Sequence, residues 1–141
     1  MSLTLDRARD IIAATRAEAS RAGFKPMTVV VLDAGGHVLA VEREDGSSNS
    51  RFEIAFGKAH GALALGMGSR ALMARAEQQA YFIAAATSAI GGSLIPVPGG
   101  VLVREAGVLI GAVGVSGDTS DNDEAAAVAG ITSVGLVAQP D

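Results

Sequence analysis

The stretch from Gly91 to Asp118, GGSLIPVPGGVLVREAGVLIGAVGVSGD, constrains the fold of this chain more than any other. From Val101 to Ser116 apolar residues alternate with small ones, no proline intervenes, and the run is interrupted only at Glu105-Ala106-Gly107. That pattern predicts two strands paired through a tight, glycine-containing turn. Pro96-Val97-Pro98-Gly99-Gly100 leads into the hairpin, and Ser116-Gly117-Asp118 leads out of it towards a helix start.

An earlier stretch echoes it. Met27 to Asp33 is a β-branched run, Ala34-Gly35-Gly36 a turn, and Val38 to Glu42 the returning strand. Two consecutive hairpins require an antiparallel sheet, and helical patterns fill the remainder. Met1-Ser2-Leu3 is left outside this reading. Thr4 is placed to cap a first helix, with Leu5, Ala8, Ile11, Ile12, Thr15 and Ala19 at helical spacing and Gly23 as the stop. A polar loop, Arg43 to Ser50, feeds a second helix with Phe52, Ala55, Phe56, Ala59 and Leu63 along one face. Ser50 and Glu53 have the spacing of a capping box. Gly57, Gly61 and Gly66 each cost about 1 kcal/mol in a helix interior, which predicts close approach of another backbone, from the sheet or a neighbouring subunit. Ser69 is expected to cap a short helix over Arg70 to Ala74, with further helix over Ala76 to Ala89 and a short strand at Leu94-Ile95. Thr119, Ser120 or Asp121 can cap a last helix, AAAVAGITSVGLVA in outline, with Asp123 and Glu124 in its first turn, where the helix dipole favours anions, and Gln139-Pro140-Asp141 reads as a frayed end.

With 141 residues the chain reads as one domain, 1–141, able to bury a core without staples. The apolar content is mostly alanine and valine, which bury little area each, so some exposed apolar surface is expected to be covered by other subunits. A net charge of −4 argues against nucleic acid as partner. The absence of cysteine excludes disulfides, thiolate metal sites and cysteine nucleophiles, and fits a reducing compartment. Asp6, Arg7, Arg9 and Asp10 interrupt any signal-peptide core, and no apolar run is both long and glycine-poor enough to span a bilayer. The expectation is a cytoplasmic protein with no membrane or nucleic-acid partner.

Few residues carry recognisable chemistry. His37 follows a glycine turn at a sheet end; it reads either as an exposed imidazole bonded to nearby backbone or as an iron ligand. His60 lies at the edge of the second helix's apolar face, as a half-buried contact residue or as a ligand. Neither has the spacing of a zinc site, so no metal centre is expected. Arg43, Glu44, Asp45 and Arg51 form a charge-dense loop near Lys58. It is a solvated set of ion pairs or, alternatively, a clamp for a substrate carboxylate, with Asp45 or Glu53 as general base if buried. The amides of Gly35-Gly36 and of Pro98-Gly99-Gly100 can hold an anion. No phosphate-binding loop or nucleophile elbow is present, and the glycines from Gly111 to Gly117 read as small residues for close packing.

Several stretches in order resemble the GlcG/HbpS-like family, which includes the C-terminal domains of PduO-type proteins. They are Val31 to His37, Arg43-Glu44-Asp45-Gly46, Ile54-Ala55 with Lys58-Ala59, Pro96 to Gly100, Gly111 to Asp118, and Asp123-Glu124. The resemblance implies a profilin-like α/β/α three-layer sandwich around a five-stranded antiparallel sheet, and a homo-oligomer, tetrameric or octameric. It also implies a small-molecule ligand, with haem or another tetrapyrrole as candidate, and a pocket near His37, Lys58 and Pro98-Gly99-Gly100. In that reading His37 or His60 donates to iron, and Arg43, Arg51 or Lys58 meets the propionates. The competing reading is an enzyme acting on a small organic acid or aldehyde.

Overall fold

A computed structural model describes residues 1–141. The two predicted hairpins form, β1 (Thr28–Asp33) with β2 (Val38–Arg43) and β3 (Gly100–Glu105) with β4 (Val108–Ser116). They pair edge to edge through β1 and β4, and a C-terminal strand β5 (Val137–Gln139) adds to β3. Every pairing is antiparallel and the strand order is β2-β1-β4-β3-β5.

Alternation along the strands divides the sheet's faces. Val29, Val31, Val101, Val103, Val113 and Val115 pack against α1 (Leu5–Ala22) and α5 (Ser120–Ser133). Val30, Leu32, Leu102 and Ala112 face Ala55, Ala59 and Ala62 of α2 (Arg51–Leu65). The result is the expected helix–sheet–helix sandwich. Gly100 and Gly114 are cross-strand partners, and both lie beneath α2. A Cβ at Gly114 would stand 2.0 Å from the Ala55 carbonyl oxygen, and one at Gly100 2.3 Å from that of Lys58. The glycines of the second hairpin therefore form a trough that admits the helix backbone.

Several expectations change. Leu3, left aside in the sequence reading, is a core residue against Gly111. The break in the helical region after Gly68 lies at Gln79 instead of Arg75, giving α3 (Ser69–Gln78) and α4 (Ala80–Ala89), and the Gln79 side chain accepts from Arg75. Ser69 does not cap; its hydroxyl donates to Gly100 O and accepts from Gly100 N, tying α3 to β3. Ser50 makes no side-chain cap either. The last helix stops at Ser133, and Val137–Gln139, read as helix end and fray, is β5. Finally, Leu94-Ile95 is irregular chain, not strand, and it is this segment that approaches Gly57 and Gly61 of α2.

Candidate functional site

The predicted site residues fall into two groups. Val115, beside Lys58, pairs with Val29, whereas Asp33, beside His37, pairs with Gly111. At about 3.3 Å of rise per residue, roughly 13 Å of strand lies between those positions. The structure therefore does not gather His37, Lys58 and Pro98-Gly99-Gly100 into one pocket.

The first group is a closed polar centre. Lys58 extends from α2 past the end of β4, where its Nζ donates to Val115 O at 2.9 Å and to Asp123 Oδ2 at 3.1 Å. Asp123, in the first turn of α5, also accepts from the Asp118 N–H through Oδ1 at 2.9 Å. Both side chains are buried. Burial pulls the Lys58 amine below its ordinary value and pushes the Asp123 carboxyl above its own, each against the attraction of the other. Gly99 closes over the amine, where a Cβ would stand 2.8 Å from Nζ, and Gly100 lies against the Lys58 main chain. Arg51 is half-buried, donating from Nε to Ser48 Oγ and from Nη1 to Ser116 Oγ, both at 3.1 Å. Arg43 is exposed and donates to Ser47 O. Asp45 and Glu53, the candidate bases, are exposed.

The second group surrounds a cleft. Its volume is about 270 Å³, and its walls are the Ala34-Gly35-Gly36 turn, His60, Leu63 and Ala64 of α2, and Ile90. No charged side chain lines it. His60 is half-buried, and its Nδ1 lies 2.9 Å from the Ser93 carbonyl oxygen. A carbonyl can only accept, so Nδ1 carries the proton, and in the neutral ring the Nε2 lone pair is left free. The imidazole also stacks on Phe56 with ring centroids 5.2 Å apart, and Phe56 on Phe52 at 5.9 Å. His37 stands outside the walls with its side chain 81% exposed, its Nδ1 3.2 Å from Asp33 Oδ1. The N–H groups of His37 and Gly35 donate to that carboxylate and hold it below the usual range. A further cleft of about 340 Å³ is lined by Arg16, Ser20, Phe24, Pro26, Glu44 and Asp45, with Glu44 engaged by Arg16.

Sequence reasoning missed Asp123 as a chemical partner and Leu63, Ala64, Ile90 and Ser93 around His60. A lysine between Gly57 and Ala59 on a sheet-facing surface was a usable signal, since a buried cation needs a carboxylate.

Two comparisons give a consistent match. The family model described as "Haem degrading protein HbpS-like" matches residues 3–132. Among solved structures, a PduOC:heme complex superposes with a TM-score of 0.86 at 23% identity, covering 96% of this chain and 97% of that one. HbpS from Streptomyces reticuli, as a double mutant, gives 0.81 at 28% identity over 96% and 88% of the two chains. Protein ORFY from Klebsiella pneumoniae gives 0.82 at 29% identity over 92% and 88%. No curated protein matches the chain.

Proposed function

The chain belongs to the HbpS-like family, and from that membership we propose that it binds haem or a related tetrapyrrole, with His60 as the iron ligand. The observation that carries this reading is the hydrogen bond from His60 Nδ1 to Ser93 O. Ligating histidines commonly donate their second N–H to a carbonyl or carboxylate, which fixes the tautomer and raises the basicity of the free nitrogen. His60 is already in that state, on the wall of an uncharged cleft of glycine backbone and aliphatic side chains. Iron held there supplies the redox and Lewis-acid chemistry, and this chain supplies the donor nitrogen and an apolar wall. His37 is the second candidate donor; its imidazole is also tethered at Nδ1, by Asp33, but lies in solvent.

Lys58 is enclosed, and Arg43 and Arg51 sit towards the other end of the sheet. No lysine or arginine of this chain lines the cleft at His60, so propionates of a ligand held there would be met by solvent or by another subunit. The cleft, at about 270 Å³, is below the roughly 300–1,000 Å³ typical of ligand pockets, so it covers part of a tetrapyrrole. A second copy of the chain is the natural cover. Helix α4, AYFIAAATSA, has no charged residue, yet only Ile83 is buried and Tyr81 is 72% exposed. We read this as the face of a homo-oligomer, tetrameric or octameric. No helix is long and apolar enough to cross a membrane; the cysteine-free composition supports a cytoplasmic setting. An enzyme on a small organic acid or aldehyde is disfavoured, because Asp45 and Glu53 are exposed and the one buried carboxylate near a basic group, Asp123, adjoins neither cleft.

The test is haemin titration of the wild type and of Ala64→Phe, which fills the cleft from an exposed helical position. The wild type should give a shifted Soret band, and the variant should bind at least tenfold more weakly. A wild-type spectrum identical to free haemin, or equal binding by the variant, would overturn the reading.

A further inference from the structure

Between α4 and β3, residues 91–99 run without regular secondary structure as a strap laid across α2. Two glycines of the helix, Gly57 and Gly61, receive it one turn apart. A Cβ at Gly57 would stand 2.6 Å from Ile95 Cγ1, and one at Gly61 would stand 2.8 Å from Leu94 Cγ and 3.2 Å from its Cα. The strap is held there by a hydrogen bond from Ile95 N to Gly57 O at 3.1 Å. Leu94 is its anchor, buried with Leu72 and Ile83 in a small cluster of its own. The carbonyl that engages His60 is that of Ser93, the residue just before the anchor. On its other side the ring meets Phe56.

We infer that this strap is the positioning element of His60: the glycine notches of α2 place the Ser93 carbonyl so that His60 is held as the Nδ1–H tautomer, Nε2 free. The ring has no other hydrogen-bond partner in the chain, and Phe56 contributes only its face, so the Ser93 carbonyl alone chooses between tautomers. Both ends of the device are local to α2. Gly57 and Gly61 bracket His60 in sequence, so the seat of the strap and the ring it orients move as one body. Gly57 and Gly61, costly in a helix interior, are thereby explained; without them the strap would ride higher and the carbonyl would leave the imidazole. Ser93 acts through its main chain, so replacing its side chain does not probe the role. The backbone must be moved instead.

Two variants do this. Gly61→Ala fills a notch, and Leu94→Ala removes the anchor while leaving α2 intact. The direct readout is the histidine side-chain nitrogen spectrum of ¹⁵N-labelled apo-protein at alkaline pH, with the His60 signals assigned by their loss in His60→Ala. Wild-type His60 should show one protonated Nδ1 and one unprotonated Nε2. Both variants should show an averaged pair of signals, with faster amide exchange at Ser93, Leu94 and Ile95. The binding arm alone rests on the haem reading: there the variants should lose roughly 10–100-fold in haemin affinity, the usual cost of losing an outer-shell partner. If the wild type shows the single tautomer but does not bind haemin, the haem reading fails and the positioning role stands. If His60 keeps that tautomer in Leu94→Ala and Gly61→Ala while the strap amides exchange freely, the positioning role is overturned. Should Gly61→Ala not fold, Leu94→Ala decides alone.

Discussion

The Nζ of Lys58 lies 3.1 Å from Oδ2 of Asp123, with the two side chains 2% and 1% exposed. The first belongs to the helix on one face of the sheet and the second to a helix on the other. One ion pair thus joins the outer layers around the end of β4.

Removing one member leaves the other charge buried without a partner, which typically costs about 3–5 kcal/mol. Lys58→Met should lower stability by that amount in chemical denaturation. Lys58→Met/Asp123→Leu, which removes both charges, should recover most of it. A double variant as unstable as the single one would mean that the pair contributes more than mutual neutralisation.

Gly99 has φ +123°, a backbone conformation that side-chain-bearing residues rarely adopt, and a Cβ there would press on Lys58 Nζ and on Val115 O, each at 2.8 Å. Gly99→Ala should therefore cost at least the ~1–3 kcal/mol of a strained residue. The loss should be smaller in the Lys58→Met background, where the amine is absent, as measured by a double-mutant cycle.

Thr15 on α1 is fully buried and its hydroxyl has no hydrogen-bond partner, facing Gly130 of α5. An unsatisfied buried hydroxyl carries a desolvation cost of about 1–3 kcal/mol. Thr15→Val keeps the shape and removes that cost, so the variant should melt at a higher temperature than the wild type.

Acid sensitivity has an identifiable source. Asp118 accepts from the N–H of Lys25, the N–H of Thr119 and the side-chain amide of Asn122, and its carboxyl is held down from 3.8 to about 2. A depressed folded-state value means that the carboxylate's contribution is complete above about pH 4 and is lost as pH falls through about 2. Asp118→Ala should flatten the acid limb of the stability curve in that window. A residual slope should remain from Asp33, Glu105 and Glu18, which are also lowered.

The hairpins were legible in the sequence because alternation and glycine turns are local signals, and one sheet followed from two of them in succession. The family resemblance supplied the fifth strand, but not its place. Val137–Gln139 is only a short segment, stabilised by pairing with distant β3, and nothing local marks it as strand. The break at Gln79 carries no glycine or proline, so the sequence of α3 and α4 runs on without punctuation. His60 and Gly35-Gly36 were visible as candidates, and Leu63 and Ala64 follow His60 on the same helix, whereas Ile90 and Ser93 join them only through tertiary contacts. In the sequence Asp123 stands in the first turn of a helix, where the dipole alone accounts for a carboxylate; its pairing with Lys58 spans the whole of the second hairpin in sequence, which no spacing rule reaches.

The central claim is that one imidazole, His60, is the donor to a tetrapyrrole iron. The most direct measurement is haemin titration followed at the Soret band, comparing wild type, His60→Ala and His37→Ala. The account predicts a shifted band in the wild type and in His37→Ala, and a free-haemin spectrum in His60→Ala. An unaltered shift in His60→Ala, or its loss only in His37→Ala, would contradict it.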